Sequence, residues 1–166
     1  MIPYTDAGAD FDRTRRYRRR LWRRWSDGQG RACFIMLNPS TADAEREDPT
    51  MRRCAAFARD WGYAGFDAVN LYDFRATDPR DLFAAPRPCS RANDPAILAA
   101  ATGADLVVAA WGAGAKPDRA EAVVSTLHAA GLRLHALALT RAGEPRHPLY
   151  LRRDARPSPF TPAAAP

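Results

Sequence analysis

The amino-acid sequence predicts a single α/β domain built around a mostly parallel sheet. Strand-type apolar runs alternate along the chain with helix-length segments, which is the pattern of β-α-β units. The run over Asp105–Trp111 is continuously apolar, as expected for a strand that is covered on both faces. The chain has 166 residues, 46% of them hydrophobic, which is the size and composition of one globular domain. We assign residues 1–155 to this domain and the Pro- and Ala-rich residues 156–166 to a flexible tail.

The first predicted strand lies in an Arg-rich segment. Tyr17, Leu21 and Trp25 recur at a spacing of four, which fits one face of a helix. Alternate residues from Tyr17 to Trp25 also share one face of a strand, and a Gly-containing turn then leads to the apolar run 32–37. We therefore predict an N-terminal β-hairpin formed by these two runs. The arginines fit either nucleic-acid binding or the protection of an exposed sheet edge.

Capping and turn residues define the remaining elements. Asp48 is a good N-cap for a helix that has Pro49 at its first position and ends near Trp61, before Gly62. The further elements, in chain order, are a strand over Phe66–Tyr72, a short helix near Arg80–Ala84, a helix from Asn93 or Asp94 to Ala101, the strand over Asp105–Trp111, a helix over Pro117–Ala130 and a strand over Leu132–Leu139.

The composition limits the classes of function. The net charge is +6, and the cations are 24 Arg against one Lys. Guanidinium groups bind phosphate and carboxylate bidentately, but a GC-rich genome produces the same bias, so the charge is weak evidence for a nucleotide or DNA partner. Cys33, Cys54 and Cys89 form no CxxC pair, which predicts free thiols in a reducing compartment.

Targeting, membrane and cofactor motifs do not appear in the sequence. The N-terminus lacks a signal-peptide pattern, and no run approaches the roughly 18–20 apolar residues of a membrane span, so we expect a cytoplasmic protein without a membrane partner. The sequence also lacks a P-loop, a GxGxxG motif and an HExxH motif, and we predict neither a metal nor a cofactor.

The predicted topology brings four loops to one edge of the sheet. Ligands of open α/β sheets bind beyond the carboxyl ends of the strands. The loops that follow the predicted strands at this edge are Asn38–Asp48, Asp73–Asp78, Gly112–Lys116 and Thr140–Tyr150. We expect them to form one cleft rich in Arg and Asn.

Two asparagines are candidates for ligand recognition in this cleft. Asn38, at a strand end, could orient a ligand or a water while Ser40 and Thr41 donate to an anion, although the same residue types routinely form turn caps. Asn70 lies within a strand, where Asn is depleted. Its amide could read a nucleobase edge with a paired donor and acceptor, or it could fix a neighbouring loop.

Charged and aromatic side chains complete the candidate site. Arg75 could clamp a phosphate or fix its own loop. His147 could stabilise an anion that develops on a substrate, and Arg146 beside it is a second possible phosphate clamp. Trp111 and Gly112 could offer a stacking face for a base, but a core position for the tryptophan fits equally well.

Acidic residues cluster after the first motif. Asp43, Glu45, Glu47 and Asp48 could supply a general base or a metal site, but capping and solvation explain most residues of this kind.

Several long strings identify a family resemblance. Between about Arg16 and Pro159 the chain contains, in order, LNPSTAD, DPTMRRC, WGY, NLYDFRATDP, AWG and PRHPLYL. This series resembles the bacterial domain-of-unknown-function family 1643, and the resemblance implies no particular activity.

Shorter strings resemble the uracil-DNA glycosylases. The segment 37–40 (LNPS) is similar to their first motif, in which the polar residue positions the attacking water, and Asn70 matches the asparagine that reads the uracil edge. Arg75 and Asp78 match the stretch that follows that asparagine. The segment 107–116 and His147 resemble the strand ending in Trp-Gly and the loop whose histidine contacts the base.

The glycosylase resemblance implies a three-layer α/β/α fold, with Asn38 and His147 as catalytic residues. It also implies that Asn70 reads the edge of the base. The chain departs from the pattern because its first motif lacks the Gly and the catalytic Asp, and because the last loop reads HPLYL.

Three functions are compatible with these residues. The chain could be a hydrolase of DNA-glycosylase type that acts on a base in DNA or on a nucleoside. It could be a non-catalytic module that binds nucleotides or nucleic acid in the same cleft. It could also be an enzyme for a nucleotide or a phosphorylated metabolite, in which Arg75 and Arg146 clamp the phosphate.

Overall fold

The computed structural model describes residues 3–25 and 27–162. The strands of these residues are β1 (Asp6–Phe11), β2 (Arg18–Arg24), β3 (Ala32–Met36), β4 (Gly65–Asn70), β5 (Leu106–Ala109), β6 (Leu134–Ala136) and β7 (Ser158–Pro159). The helices are α1 (Pro49–Asp60), α2 (Pro79–Ala84), α3 (Asn93–Thr102) and α4 (Pro117–Ala129). Short 3-10 turns lie at Gly112–Gly114 and Pro148–Tyr150. The chain is therefore an α/β protein.

The seven described strands form one mixed sheet with the order β1-β2-β4-β3-β5-β6-β7. The four central strands, β4, β3, β5 and β6, run parallel. Strands β1 and β2 on one side and β7 on the other are antiparallel to their neighbours. The prediction of a mostly parallel sheet is therefore correct for the centre of the sheet and wrong for its edges.

The predicted hairpin between β2 and β3 does not form. Strand β2 pairs with β1 and β4, while β3 lies between β4 and β5. Every residue of β3 is buried. Such a strand removes the most apolar surface from solvent when it lies in the centre of the sheet, where both of its faces are covered. The N-terminal hairpin consists of β1 and β2 instead, and β1 escaped prediction because its sequence DAGADF has low strand propensity. Ser26 of the predicted turn lies outside the described residues.

The helices confirm most of the capping predictions. The carboxylate of Asp48 accepts a hydrogen bond from the Met51 amide at 2.8 Å and caps α1, which has Pro49 in its first turn. Helix α4 follows its predicted bounds to within one residue. Helix α3 begins at Asn93 as predicted, but neither Asn93 nor Asp94 caps it. The Asn93 side chain is buried instead and donates to two backbone carbonyls at the end of β4.

Helices cover both faces of the sheet. Alternate residues of the central strands point to opposite faces, so that β3 contributes Phe34 to one apolar cluster and Ile35 to the other. Helix α1 packs its Phe57 into the first cluster, whereas α3 and α4 pack Ile97 and Leu127 into the second. The three cysteines are free thiols, as the sequence predicts.

The segment after Arg156 does not behave as a flexible tail throughout. Ser158–Pro159 pairs with β6, and the buried ring of Phe160 contacts Trp111 with centroids 6.0 Å apart. Burial of this aromatic ring and the pairing with β6 both hold this segment against the sheet. Residues 163–166 of the predicted tail lie outside the described residues.

Within the described part of the chain, no helix is both long enough and apolar enough to cross a membrane.

Candidate functional site

A small polar cavity opens at the carboxyl ends of β3 and β4. Its volume is about 220 Å³. It is lined by Arg18, Met36, Asn38, Ser40, Asp48, Thr50, Met51, Asn70, Ala76, Thr77 and His147. Strands β3 and β4 end beside it at Met36 and Asn70, and the first turn of α1 closes it from one side. The volume lies below the roughly 300–1,000 Å³ of pockets for drug-sized ligands, so the cavity suits a group the size of a single ring.

Asn38 offers an acceptor to the cavity. Its Nδ2 donates to the carbonyls of Ala76 at 2.8 Å and Pro39 at 3.1 Å, and these two bonds fix the orientation of the amide. None of the described residues donates to its Oδ1. This oxygen can therefore accept a hydrogen bond from a water or a ligand in the cavity.

Asn70 is buried and its side chain is unused by the fold. It is only 2% exposed, and its Oδ1 has no hydrogen-bond partner among residues 3–25 and 27–162. Its backbone carbonyl, in contrast, accepts from Asn93 Nδ2 at 2.9 Å. An unpaired buried polar group costs roughly 1–3 kcal/mol. Asn93 Oδ1 is also unpaired within the described residues, but Asn70 differs because it lines the cavity, where a ligand can supply the missing partner. Asn93 fixes the backbone at the end of β4, and the Asn70 side chain faces the cavity.

His147 presents a neutral donor. Its Nδ1 accepts a hydrogen bond from the Leu149 amide at 3.2 Å, which leaves the proton of the neutral ring on Nε2. Burial lowers the pKa of His147, and the nearby Asp48 carboxylate opposes this shift only in part. The imidazole is therefore neutral near pH 7 and can donate through Nε2–H to an acceptor in the cavity.

Two charged residues lie in the same cavity. Asp48 uses Oδ1 for the helix cap and keeps a second carboxylate oxygen. Arg18 is 1% exposed, donates through Nη1 to the Ala42 carbonyl at 2.8 Å, and has no partner for Nε within the described residues. Burial lowers the pKa of Arg18 to about 10, an effect that Asp48 partly offsets, so the guanidinium stays charged at neutral pH.

Sequence reasoning missed Arg18 and Thr50, and it named Thr77 only as a neighbour of Arg75 in the possible phosphate clamp. Arg18 is one of many arginines in its segment, and no local signal separates it from its neighbours. Thr50 and Thr77 occupy helix and loop positions in which a hydroxyl is unremarkable. Asp48 appeared in the sequence as a cap and as one of four possible bases, and it alone of those four lines the cavity.

The structure brings Ser40 to the cavity together with Asn38, Asn70 and His147. Thr41 is exposed and does not line it. Arg75 holds the surrounding loops, since its Nε donates to the Ser40 carbonyl at 3.3 Å and its Nη1 to the Arg15 carbonyl at 3.2 Å.

Asp78 and Arg146 lie outside the cavity. Asp78 caps α2 and forms an exposed ion pair with Arg80 at 2.7 Å. Arg146 is exposed, and its backbone amide donates to the Ala138 carbonyl at 2.9 Å.

Trp111 occupies the core position that the sequence left open. It is 2% exposed, its indole N–H donates to Glu144 at 3.1 Å, and it lines a separate pocket between α4 and the C-terminal segment. It does not line the cavity of Asn70. Gly112 has a φ of +74°, which favours glycine, and it lies beside His147.

Among the described residues, no three His, Cys, Asp or Glu side chains form a group that could hold a metal ion.

The model of a family described as "Protein of unknown function (DUF1643)" matches residues 16–149. No match was found among curated proteins or among solved structures.

Proposed function

Because the chain belongs to the family DUF1643, whose description assigns no function, we propose an activity from the site itself. The cavity binds a nucleobase, and the protein hydrolyses the N-glycosidic bond that joins this base to its sugar. The order of the short motifs, which resembles that of uracil-DNA glycosylases, supports this proposal. The helices on both faces of the sheet are compatible with the three-layer fold of those enzymes.

The buried, unpaired amide of Asn70 carries the proposal. An amide side chain presents a donor and an acceptor side by side, which complements an N–H next to a C=O on a base edge. The cavity volume of about 220 Å³ suits one ring of this size. A flipped base that pairs with Asn70 would supply the hydrogen bond that Oδ1 lacks in the free protein.

The other polar groups fit hydrolysis of the glycosidic bond. Asn38 Oδ1 holds a water, and the free carboxylate oxygen of Asp48 takes its proton as the water oxygen attacks the anomeric carbon. The bond between this carbon and the base nitrogen breaks, and its electron pair passes to the base. His147 Nε2–H donates to the base carbonyl, where negative charge develops. The proton taken by Asp48 can then neutralise the released base.

The β1–β2 turn supports DNA as the partner. Arg13, Arg15 and Arg16 are exposed on this turn, and the described residues form no ion pair with any of them. The Asp12 side chain holds the turn by accepting from Thr14 and Tyr17.

Arg75 connects the turn to the cavity rim. Its backbone amide donates to the Arg16 carbonyl at 2.8 Å, while its side chain reaches Ser40. Guanidinium groups held in this way can bind the phosphates that flank a flipped base.

The experiment is an incubation with oligonucleotides that each carry one altered base, followed by alkali. We expect alkali-labile sites at one kind of base with the wild type. Asn38→Ala should lose these sites while it keeps most of the binding. Gln29→Ala, an amide truncation at the opposite end of β3, should leave both unchanged because the Gln29 side chain is exposed and forms no hydrogen bond with the described residues.

The salt dependence separates the alternatives. Binding that weakens steeply with salt but never produces alkali-labile sites would favour a non-catalytic module. If DNA is not bound at near-physiological salt, the nucleic-acid proposal is wrong, and nucleotides and phosphorylated metabolites are tested next.

A further inference from the structure

The cavity contains a buried cation that forms no direct ion pair with the described residues, although the carboxylate of Asp48 lies in the same cavity. Arg18 is 1% exposed, and none of the ion pairs formed by the described residues includes it. Its one side-chain hydrogen bond goes to the neutral Ala42 carbonyl, and its Nε is unpaired. Burial of a charge is costly unless hydrogen bonds and an opposite charge compensate it.

Arg23 shows that this arrangement is not a general property of buried arginines in this fold. It comes from the same strand and is equally buried, at 1% exposure. Its Nε pairs with Glu47 at 2.6 Å, its Nη2 donates to the Asp43 carbonyl at 2.6 Å, and its Nη1 donates to the Trp22 carbonyl at 2.9 Å. All three guanidinium nitrogens of Arg23 therefore bond within the fold, whereas Arg18 bonds to the described residues only through Nη1.

We propose that Arg18 binds an oxyanion of the ligand, either a phosphate or a carboxylate group, inside the cavity. The guanidinium fork matches such groups geometrically. Ser40, Thr50 and Thr77 line the same cavity, and a hydroxyl side chain can donate to the remaining oxygens of such a group. The backbone of Arg18 is fixed, since its amide donates to the Asp73 carbonyl at 2.9 Å.

The inference narrows the substrate class. The anion site at Arg18 and the proposed nucleobase site share one cavity. The inference rests on the proposed function only for the identity of the rest of the ligand. A nucleotide that enters with its phosphate, or a ring that carries a carboxylate, satisfies Arg18, whereas a neutral nucleoside does not.

The test is a calorimetric titration of the full chain with inorganic phosphate and with acetate, at constant ionic strength. We expect saturable binding with one site, and the tighter of the two probes identifies the group as phosphate or carboxylate. Arg18→Met should weaken binding at least tenfold. Arg133→Met, which removes an exposed cation at the amino end of β6, away from the cavity, should change it less than twofold. Failure of the wild type to bind either probe, or equal binding by Arg18→Met, would overturn the proposal.

Asp48→Asn gives a second test that does not depend on the folding of an Arg18 variant. Asparagine caps a helix as well as aspartate does, so α1 is retained while the negative charge beside Arg18 is removed. Anion binding should become at least threefold tighter, and unchanged or weaker binding would contradict the proposal.

The titration also separates this inference from the proposed function. A protein that binds an oxyanion through Arg18 but releases no base keeps the anion site and refutes the glycosidic hydrolysis. A protein that releases a base but binds neither probe supports the glycosidic hydrolysis and refutes the anion site at Arg18.

Discussion

Replacing Asn70 by leucine should stabilise the fold and abolish ligand binding. Asn70 is 2% exposed, and its Oδ1 is unpaired within the described chain. Leucine has a similar size and carries no polar atom, so it removes the penalty of the unpaired amide. The carbonyl of residue 70 keeps its bond to Asn93 Nδ2, because this bond involves only the backbone of Asn70.

The magnitude follows from the cost of an unsatisfied buried group. That cost is roughly 1–3 kcal/mol, and we expect Asn70→Leu to raise the free energy of unfolding by about 1–2 kcal/mol. For a chain of this length each kcal/mol corresponds to about 2–4 °C in Tm. A gain in stability together with a loss of binding is typical of a residue kept for its ligand rather than for the fold.

The assay is urea denaturation of both proteins, with Asn93→Leu as the matched control. Asn93 is also a buried asparagine, and its Oδ1 is likewise unpaired among the described residues, but its Nδ2 donates to the carbonyls of Asn70 at 2.9 Å and Leu71 at 3.1 Å. The control should lower the free energy of unfolding by about 1–3 kcal/mol, because it leaves the Asn70 carbonyl without its donor, whereas the Leu71 carbonyl keeps the bond from Arg119 Nε at 2.8 Å. If Asn70→Leu destabilises the protein as much as the control does, the amide has a structural role and the reasoning is refuted.

Three further predictions concern the stability contributed by His147, Asp67 and Asp48. Burial lowers the pKa of His147 below its ordinary 6.5, so the unfolded chain binds the proton more readily than the folded chain does. The stability of the fold should therefore rise with pH up to about 6.5. Thermal melts of His147→Gln should show a smaller rise. Asp67 is fully buried among Arg20, Arg24 and Arg31, and Asp67→Asn should lower the free energy of unfolding in urea by about 3 kcal/mol. Asp48→Ala should lower it by about 1 kcal/mol through loss of the α1 cap, and Asp48→Asn should not.

The helices could be predicted because their signals are local. Asp48 and Pro49 set the start of α1, and Pro117 and Gly131 bracket α4, so capping chemistry alone defines both elements. The strand order could not be predicted in the same way. Where β3 inserts depends on contacts with β4 and β5, which are distant in sequence, and a Gly-containing turn after β2 misleadingly indicates a hairpin.

The site was predictable where it follows from the strand ends. The rule that ligands bind at the carboxyl ends of parallel strands selects Asn38, and the depletion of asparagine within strands selects Asn70. These two residues line one cavity. Arg18 could not be selected, because only the bulge in the β1–β2 pairing and the burial of the strand distinguish it from the arginines nearby. Trp111 could not be placed either, since a tryptophan after an apolar strand fits the core and a ligand site equally well.

Detection of a free base tests the central claim most directly. Oligonucleotides with one altered base are incubated with the wild type and with Asn70→Leu, and the low-molecular-mass products are identified by mass spectrometry. The account predicts that the wild type releases one kind of free base, with an abasic site left in the strand, and that Asn70→Leu releases none although it is at least as stable. Intact oligonucleotides after incubation with a folded, DNA-binding wild type would contradict it.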